Sequence, residues 1–314
     1  MILTVILNSE KLKNFYEGRD CQNWQPLTLI SKETLEYIKS TADEKTRIDR
    51  FAAYSLLFSL ADAFFGIRIK KIGRNEFGKP YIEEFLKEDK EVSDGNLHFS
   101  ISHSGGIVAV TLSEDAECGV DLQIMPSKDV SERLEKRLLS SFDVRDVSVM
   151  DSDMTLKNAC RVYYAEPMEK GFTLYPAPGI KCKLLNDIQG LESNFGNSLE
   201  TSFSIKSEKD ILNSMTIDVE DIPENYPITD CEEIPKNNFL GAFLKEYKDS
   251  QELVFLKKWT LCEAILKCFG KGFRDHSKLD FLKSECNLRY YLVLIENQKF
   301  GFALAIKKEK SGEM

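Results

Sequence analysis

Apolar positions along the 314-residue chain alternate between two spacings. Every-second-residue patterns over 2–7, 67–72, 97–102, 107–112, 119–123, 289–295 and 300–306 predict strands. Three-to-four spacing over 31–39, 43–65 and 255–273 predicts helices, and 129–142 predicts a fourth, with Val130, Leu134 and Leu138 on one side. Ser31 and Asp43 stand where N-caps belong, and Gly66 where a helix should stop. The helix over 255–273 is apolar nearly all round and ends in Gly270-x-Gly272, so most of it should be buried. On it Trp259, Glu263 and Lys267 follow one another at intervals of four and share a stripe.

A long helix with antiparallel strands occurs twice, which predicts an α+β protein in two parts, 1–124 and 125–314. In the first part, strand, tight turn, strand, turn and strand over 97–123 predict an antiparallel meander packed on the helix over 43–65. In the second, 289–295 and 300–306 predict a hairpin in another small sheet. Between about 145 and 245 the periodic signals fade. Six of the nine prolines fall from Pro167 to Pro235, and 218–233 is acidic. This stretch reads as a large insertion in the second part, with short strands at 179–184 and 201–205.

Charge and composition narrow the function. A net charge of −9 and a pI near 5.2 argue against a general nucleic-acid binder. Eight cysteines without a Cys-x-x-Cys pair, and three histidines in all, argue against a zinc site and fit a reducing cytoplasm. Residues 1–8 are too short for a signal-peptide core. The apolar run 51–67 is interrupted by Asp62 and is shorter than a membrane span, so it reads as a buried helix.

Several polar residues stand where apolar neighbours make them costly. His103 ends one predicted strand, and Asp121 and Gln123 share a face of another. Lys79 is fixed in a turn between Gly78 and Pro80. Taken singly, each has an ordinary explanation: Glu263 and Lys267 as a surface helix pair worth about 0.2–0.5 kcal/mol, Lys45, Arg47 and Arg50 as a solvated face, Asp121 as a strand-rim residue. Taken together, two carboxylates from different elements suit Mg²⁺, and the lysines and histidine suit a polyanion. The set points to phosphoryl-type chemistry. The chain carries neither a P-loop nor a kinase signature.

Phe99-Ser100-Ile101-Ser102-His103-Ser104-Gly105, then Gly119-Val120-Asp121-Leu122, then Trp259-x-x-x-Glu263-Ala264-x-x-Lys267-x-x-Gly270-x-Gly272 resemble the motifs of 4′-phosphopantetheinyl transferases of the larger two-lobed type. Phe77-Gly78-Lys79-Pro80 and Arg50-Phe51-Ala52-Ala53 resemble two further elements. The resemblance covers roughly a third of the chain. It implies two pseudo-symmetric α+β lobes, each a small antiparallel sheet on a long helix, with coenzyme A in the cleft between them. It implies Mg²⁺-dependent transfer of the 4′-phosphopantetheine arm of coenzyme A to a serine of an acyl, peptidyl or aryl carrier protein. Asp121 and Glu263 would hold the metal, with Gln123 beside them. Glu263 would also take the serine proton, and Lys267 would stabilise the diphosphate. Ser102, His103, Lys79 and Arg50 would contact phosphates of coenzyme A. A monomer is expected, since one chain supplies both lobes.

The chain departs from the family pattern in places. Gln123 stands where a second acid is common, Cys262 where Lys is usual, Tyr54 where Arg is common, and Ser100 where Asn is common. The 138 positions from Asp121 to Trp259 far exceed the usual few dozen. These departures leave an alternative open: a non-catalytic homologue that binds coenzyme A or a carrier domain as a regulatory module. Retention of both Glu263 and Lys267 argues for the enzyme.

Overall fold

The computed structural model describes residues 2–18, 24–87, 90–92, 97–114, 116–134, 142–144, 147, 160–169, 171–176, 202–205, 251–271, 278–295 and 298–308. In chain order these form β1 (Ile2–Asn8), α1 (Ser9–Glu17), α2 (Gln25–Leu29), α3 (Lys32–Lys39), α4 (Glu44–Phe65), β2 (Ile67–Arg74), β3 (Pro80–Lys87), β4 (Lys90–Val92), β5 (His98–Ser104), β6 (Ile107–Ser113), β7 (Cys118–Ile124), α5 (Lys128–Leu134), β8 (Cys160–Met168), β9 (Gly171–Pro176), β10 (Ser202–Ile205), α6 (Gln251–Cys268), α7 (Leu279–Ser284), β11 (Cys286–Ile295) and β12 (Gln298–Lys307). The architecture is mixed α+β with several small sheets. Among the described residues no helix is long and apolar enough to cross a membrane.

The caps act as the sequence suggests. Asp43 accepts from the Thr46 amide at 2.7 Å and starts α4, and Ser31 does the same for α3 through Thr34. α6 begins at Gln251, four residues before the expected start, and gives way to Gly270 in the left-handed region at φ 62°. Three short helices were not foreseen, α1, α2 and α7. Asn8 caps α1, and α2 takes in the end of a segment that reads as loop, with Pro26 in its first turn where proline costs nothing. The helix expected over 129–142 is described as α5 only to Leu134; 135–141 lie outside the described residues.

Strand pairing differs from expectation in two respects. The large sheet runs β10-β9-β8-β1-β6-β5 and is mixed rather than antiparallel: β8 lies parallel to β1, and β10 parallel to β9. β8 to β10 come from the stretch read as an insertion; 179–184 and 218–233 lie outside the described residues. The expected meander stops after β5 and β6. β1 occupies the other edge of β6, and β7 pairs with β12 in a separate sheet of order β11-β12-β7. A third small sheet, β2-β3-β4, extends from the end of α4.

Alternation along the strands sets the layers. Leu3, Val5, Leu7, Val108, Val110 and Leu112 face α4. The opposite faces of β1 and β6, through Ile6, Ile107 and Ala109, meet Val120, Leu122, Phe300, Phe302 and Leu304 of the three-stranded sheet. That sheet's other face, through Ala303, Ala305 and Tyr290, packs on Leu261, Ala264 and Ile265 of α6. The order is helix, sheet, sheet, helix. At Gly119 the approach of β7 to α6 is backbone to backbone: a Cβ there would lie 2.0 Å from the Ala264 carbonyl oxygen and 2.4 Å from the Cys268 nitrogen. This close approach carries Asp121, two residues on, against α6.

Candidate functional site

The main cluster draws on three elements far apart in sequence. Lys267 Nζ donates to Asp121 Oδ1 at 2.6 Å and to Ser102 Oγ at 3.0 Å. Ser102 Oγ donates to Asp121 Oδ1 at 2.8 Å and accepts from the Leu122 amide at 3.1 Å. Its one proton and both lone pairs are thereby used, so in this state Ser102 organises the cluster rather than facing a ligand. The expected surface pair between Glu263 and Lys267 does not form among the described residues; the lysine crosses to β7 instead. Burial of Leu256, Leu261, Ile265 and Leu266 places α6, at about 1.5–3 kcal/mol each. Against that, a helix-surface pair of a few tenths decides nothing.

Two features leave the cluster electrostatically unfinished. Asp121 is 4% exposed, and its Oδ2 is buried without a hydrogen-bond partner among the described residues. Glu263, one turn before Lys267, is half-buried, and its carboxyl is held above the usual value. Burial is the main cause, Lys267 opposes it, and the Asp121 charge adds to it. The donors suit a small hard dication: a buried oxygen with nothing to bond and a second carboxylate within Coulombic reach. Among the described residues no three His, Cys, Asp or Glu side chains converge to form a metal cluster. Gln123 lies on the Asp121 face of β7, and its Nε2 donates to the Ile124 carbonyl at 3.3 Å. Cys262 is fully buried, with its thiol pushed far up, mostly by burial.

β5 supports this geometry in a way the sequence did not announce. Ser100, Ser102 and Ser104 accept from the amides of Val120, Leu122 and Ile124 at 3.0, 3.1 and 3.1 Å. Every second N–H on the open edge of β7 is thus satisfied by a side chain rather than a strand. Period-two serines on a predicted strand were the available signal.

The remaining expected residues go elsewhere. His103 Nδ1 lies 3.3 Å from Asp49 Oδ2, on the α4 side of β5. Lys79 Nζ donates to the Cys268 carbonyl at the end of α6, at 2.8 Å. Arg50 donates to Thr41 Oγ1 at 2.7 Å and lies 4.8 Å from the centre of the Tyr37 ring. Arg74, missed in the sequence, lies 4.3 Å from the same ring and donates to Tyr54 Oη at 2.9 Å and to the Gly78 carbonyl at 3.1 Å. Tyr54, buried where the family pattern has an arginine, anchors one instead. Burial pushes its hydroxyl pKa up, against the pull of Arg74. Arg47 interacts with the Asp43 carboxylate, whereas Arg50 and Arg74 form no ion pair with a carboxylate among the described residues, which leaves this corner able to attract an anion.

No family model matches the chain. No curated protein matches it either.

Proposed function

We propose that the chain is a 4′-phosphopantetheinyl transferase that moves the phosphopantetheine arm of coenzyme A onto a carrier-protein serine, within a frame of two α+β lobes. The observation that supports this reading best is the junction of Ser102, Asp121 and Lys267, with Glu263 one turn away. The residues that meet there come from segments up to 165 positions apart.

Asp121 and Glu263 would hold Mg²⁺, which when bound supplies positive charge against the diphosphate of coenzyme A. Lys267, already placed by Ser102, is positioned to release Asp121 and turn its ammonium toward that diphosphate. Glu263 Oε accepts the serine hydroxyl proton. The serine oxygen then attacks the β-phosphorus, and adenosine 3′,5′-bisphosphate leaves. Arg47, Arg50 and Arg74 offer charge for the departing bisphosphate.

The test is the intact mass of apo carrier proteins incubated with the chain, coenzyme A and Mg²⁺, with a parallel EDTA reaction. The expected result is a metal-dependent gain of one phosphopantetheine arm. Coenzyme A binding without any gain across acyl, peptidyl and aryl carriers would move the reading to a non-catalytic binding module.

A further inference from the structure

Asp49 belongs to none of the motifs, yet it is one of the most buried carboxylates described, at 3% exposure. It lies on the first turns of α4, on the same stripe as the buried Ala52, Ala53 and Leu56. Both its oxygens are engaged. Oδ1 lies 2.5 Å from Ser9 Oγ, and Oδ2 lies 3.3 Å from Nδ1 of His103. Ser9 is itself pinned at the start of α1: its amide donates to the Gly106 carbonyl at 2.9 Å, and its hydroxyl lies 2.9 Å from the same oxygen. Gly106 closes the β5–β6 turn that directly follows His103 and Ser104. The start of α1, the start of α4 and the β5–β6 turn therefore converge on one carboxylate. Its exposed partner is the imidazole, whose side chain is 43% open to solvent.

We propose that Asp49 is a positioning residue of the candidate site, acting through His103. A buried carboxylate needs donors. Ser9 provides one, and His103, with Nδ1 3.3 Å from Oδ2, is the group placed to provide the other. The ring is thereby fixed in one tautomer and one orientation, with Nε2 as the atom that faces outward. Asp49 thus presets the orientation of the ring edge that meets a polyanion, without touching the polyanion itself. The assignment of the polyanion as coenzyme A rests on the proposed function; the clamp on the ring does not.

Imidazole ¹⁵N NMR tests the clamp directly, because the chain has three histidines and His103→Gln assigns the signal. In the unaltered protein the His103 ring is expected as the Nδ1–H tautomer. In Asp49→Ala it should shift toward a mixture in which Nε2–H is substantial. Asp49→Asn keeps the volume and serves if the alanine variant does not fold. Added coenzyme A should move the His103 Nε2 signal, and its affinity should fall several-fold in either variant. In the transfer assay kcat/KM should fall at least tenfold, and Asp49→Ala should add nothing to His103→Ala. A His103 signal unchanged by both Asp49 substitutions in folded protein overturns the proposal, whatever the activity. A clamped ring that ignores coenzyme A, in a protein that transfers nothing, overturns the functional reading instead.

Discussion

Asp121 and Lys267 carry the sharpest energetic consequences. Lys267 is the cation nearest a carboxylate that is almost wholly buried. Removing it leaves that charge unpaired, which costs roughly 3 kcal/mol, the low end for a buried pair because the lysine keeps 30% exposure. Lys267→Met should therefore lower Tm sharply, and Mg²⁺ should raise the Tm of the variant more than that of the parent. Equal Mg²⁺ shifts in thermal melts would mean that no cation enters between Asp121 and Glu263. Glu263 has the opposite sign. Its folded-state pKa stands above 4.5, so its contribution to stability is complete below about that pH and is lost as pH rises through the folded value. Glu263→Gln removes that loss. Its Tm should match the parent near pH 4 and exceed it by a few degrees at neutral pH, while transfer is abolished and coenzyme A affinity stays within a few-fold. A variant less stable than the parent at pH 7 would show that Glu263 is not held as a desolvated acid.

Between elements, what matters is how β7 is held on both sides. On the α6 side Gly119 is irreplaceable by geometry: Gly119→Ala would place a methyl 2.0 Å from a backbone oxygen, and neither backbone has slack to yield. The cost should reach the upper end of overpacking, about 3 kcal/mol. The displaced Asp121 should also cost transfer activity beyond what the fall in Tm explains. On the β5 side, Ser100→Ala leaves the buried Val120 amide without an acceptor, about 1–3 kcal/mol. Ser104→Ala, nearer solvent, should cost less. Equilibrium urea unfolding of the two variants checks the order, and a reversed order would mean that the serines do not hold the edge. This arrangement also explains what was and was not legible. Most helix caps, many of the strands, and Asp121, Glu263 and Lys267 as polar residues in apolar settings follow from local patterns, and the sequence displays those, while Ser102 rests only on the motif resemblance. Partners do not. Nothing local says that β7 leaves β6 for β12, or that β8 from beyond residue 160 lies parallel to β1. Asp49 is an acid on an apolar helix stripe, but nothing local says that Ser9 and His103 meet it. Arg74 carried only its place just ahead of the Asn75–Lys79 turn.

The loop between β2 and β3 and the end of α6 meet at that turn. Asn75 Oδ1 accepts from the amides of Phe77 and Lys79 at 3.0 and 2.8 Å, which shapes the turn. Its Nδ2 reaches across to the Gly270 carbonyl at 3.0 Å, and Lys79 Nζ to that of Cys268 at 2.8 Å. Both acceptors belong to the C-terminal end of α6, where carbonyls lack helical partners and the dipole favours a cation. Gly270 adopts φ 62°, which favours glycine, and a Cβ there would lie 2.7 Å from Asn75 Nδ2, so another residue would have to displace that side chain. The resemblance assigns Lys79 to phosphate, whereas here it ties a segment that follows α4 to the helix that carries Glu263 and Lys267. The two roles are compatible if coenzyme A draws the lysine away, and that has a measurable signature. Lys79→Met should leave the packed centre of α4 as slow to exchange as in the parent but speed amide exchange over residues 268–271 about tenfold. Coenzyme A should likewise speed exchange there in the parent and change nothing further in the variant. Protection of 268–271 that is indifferent to both the substitution and coenzyme A would show that the clip neither holds the helix end nor opens for a ligand.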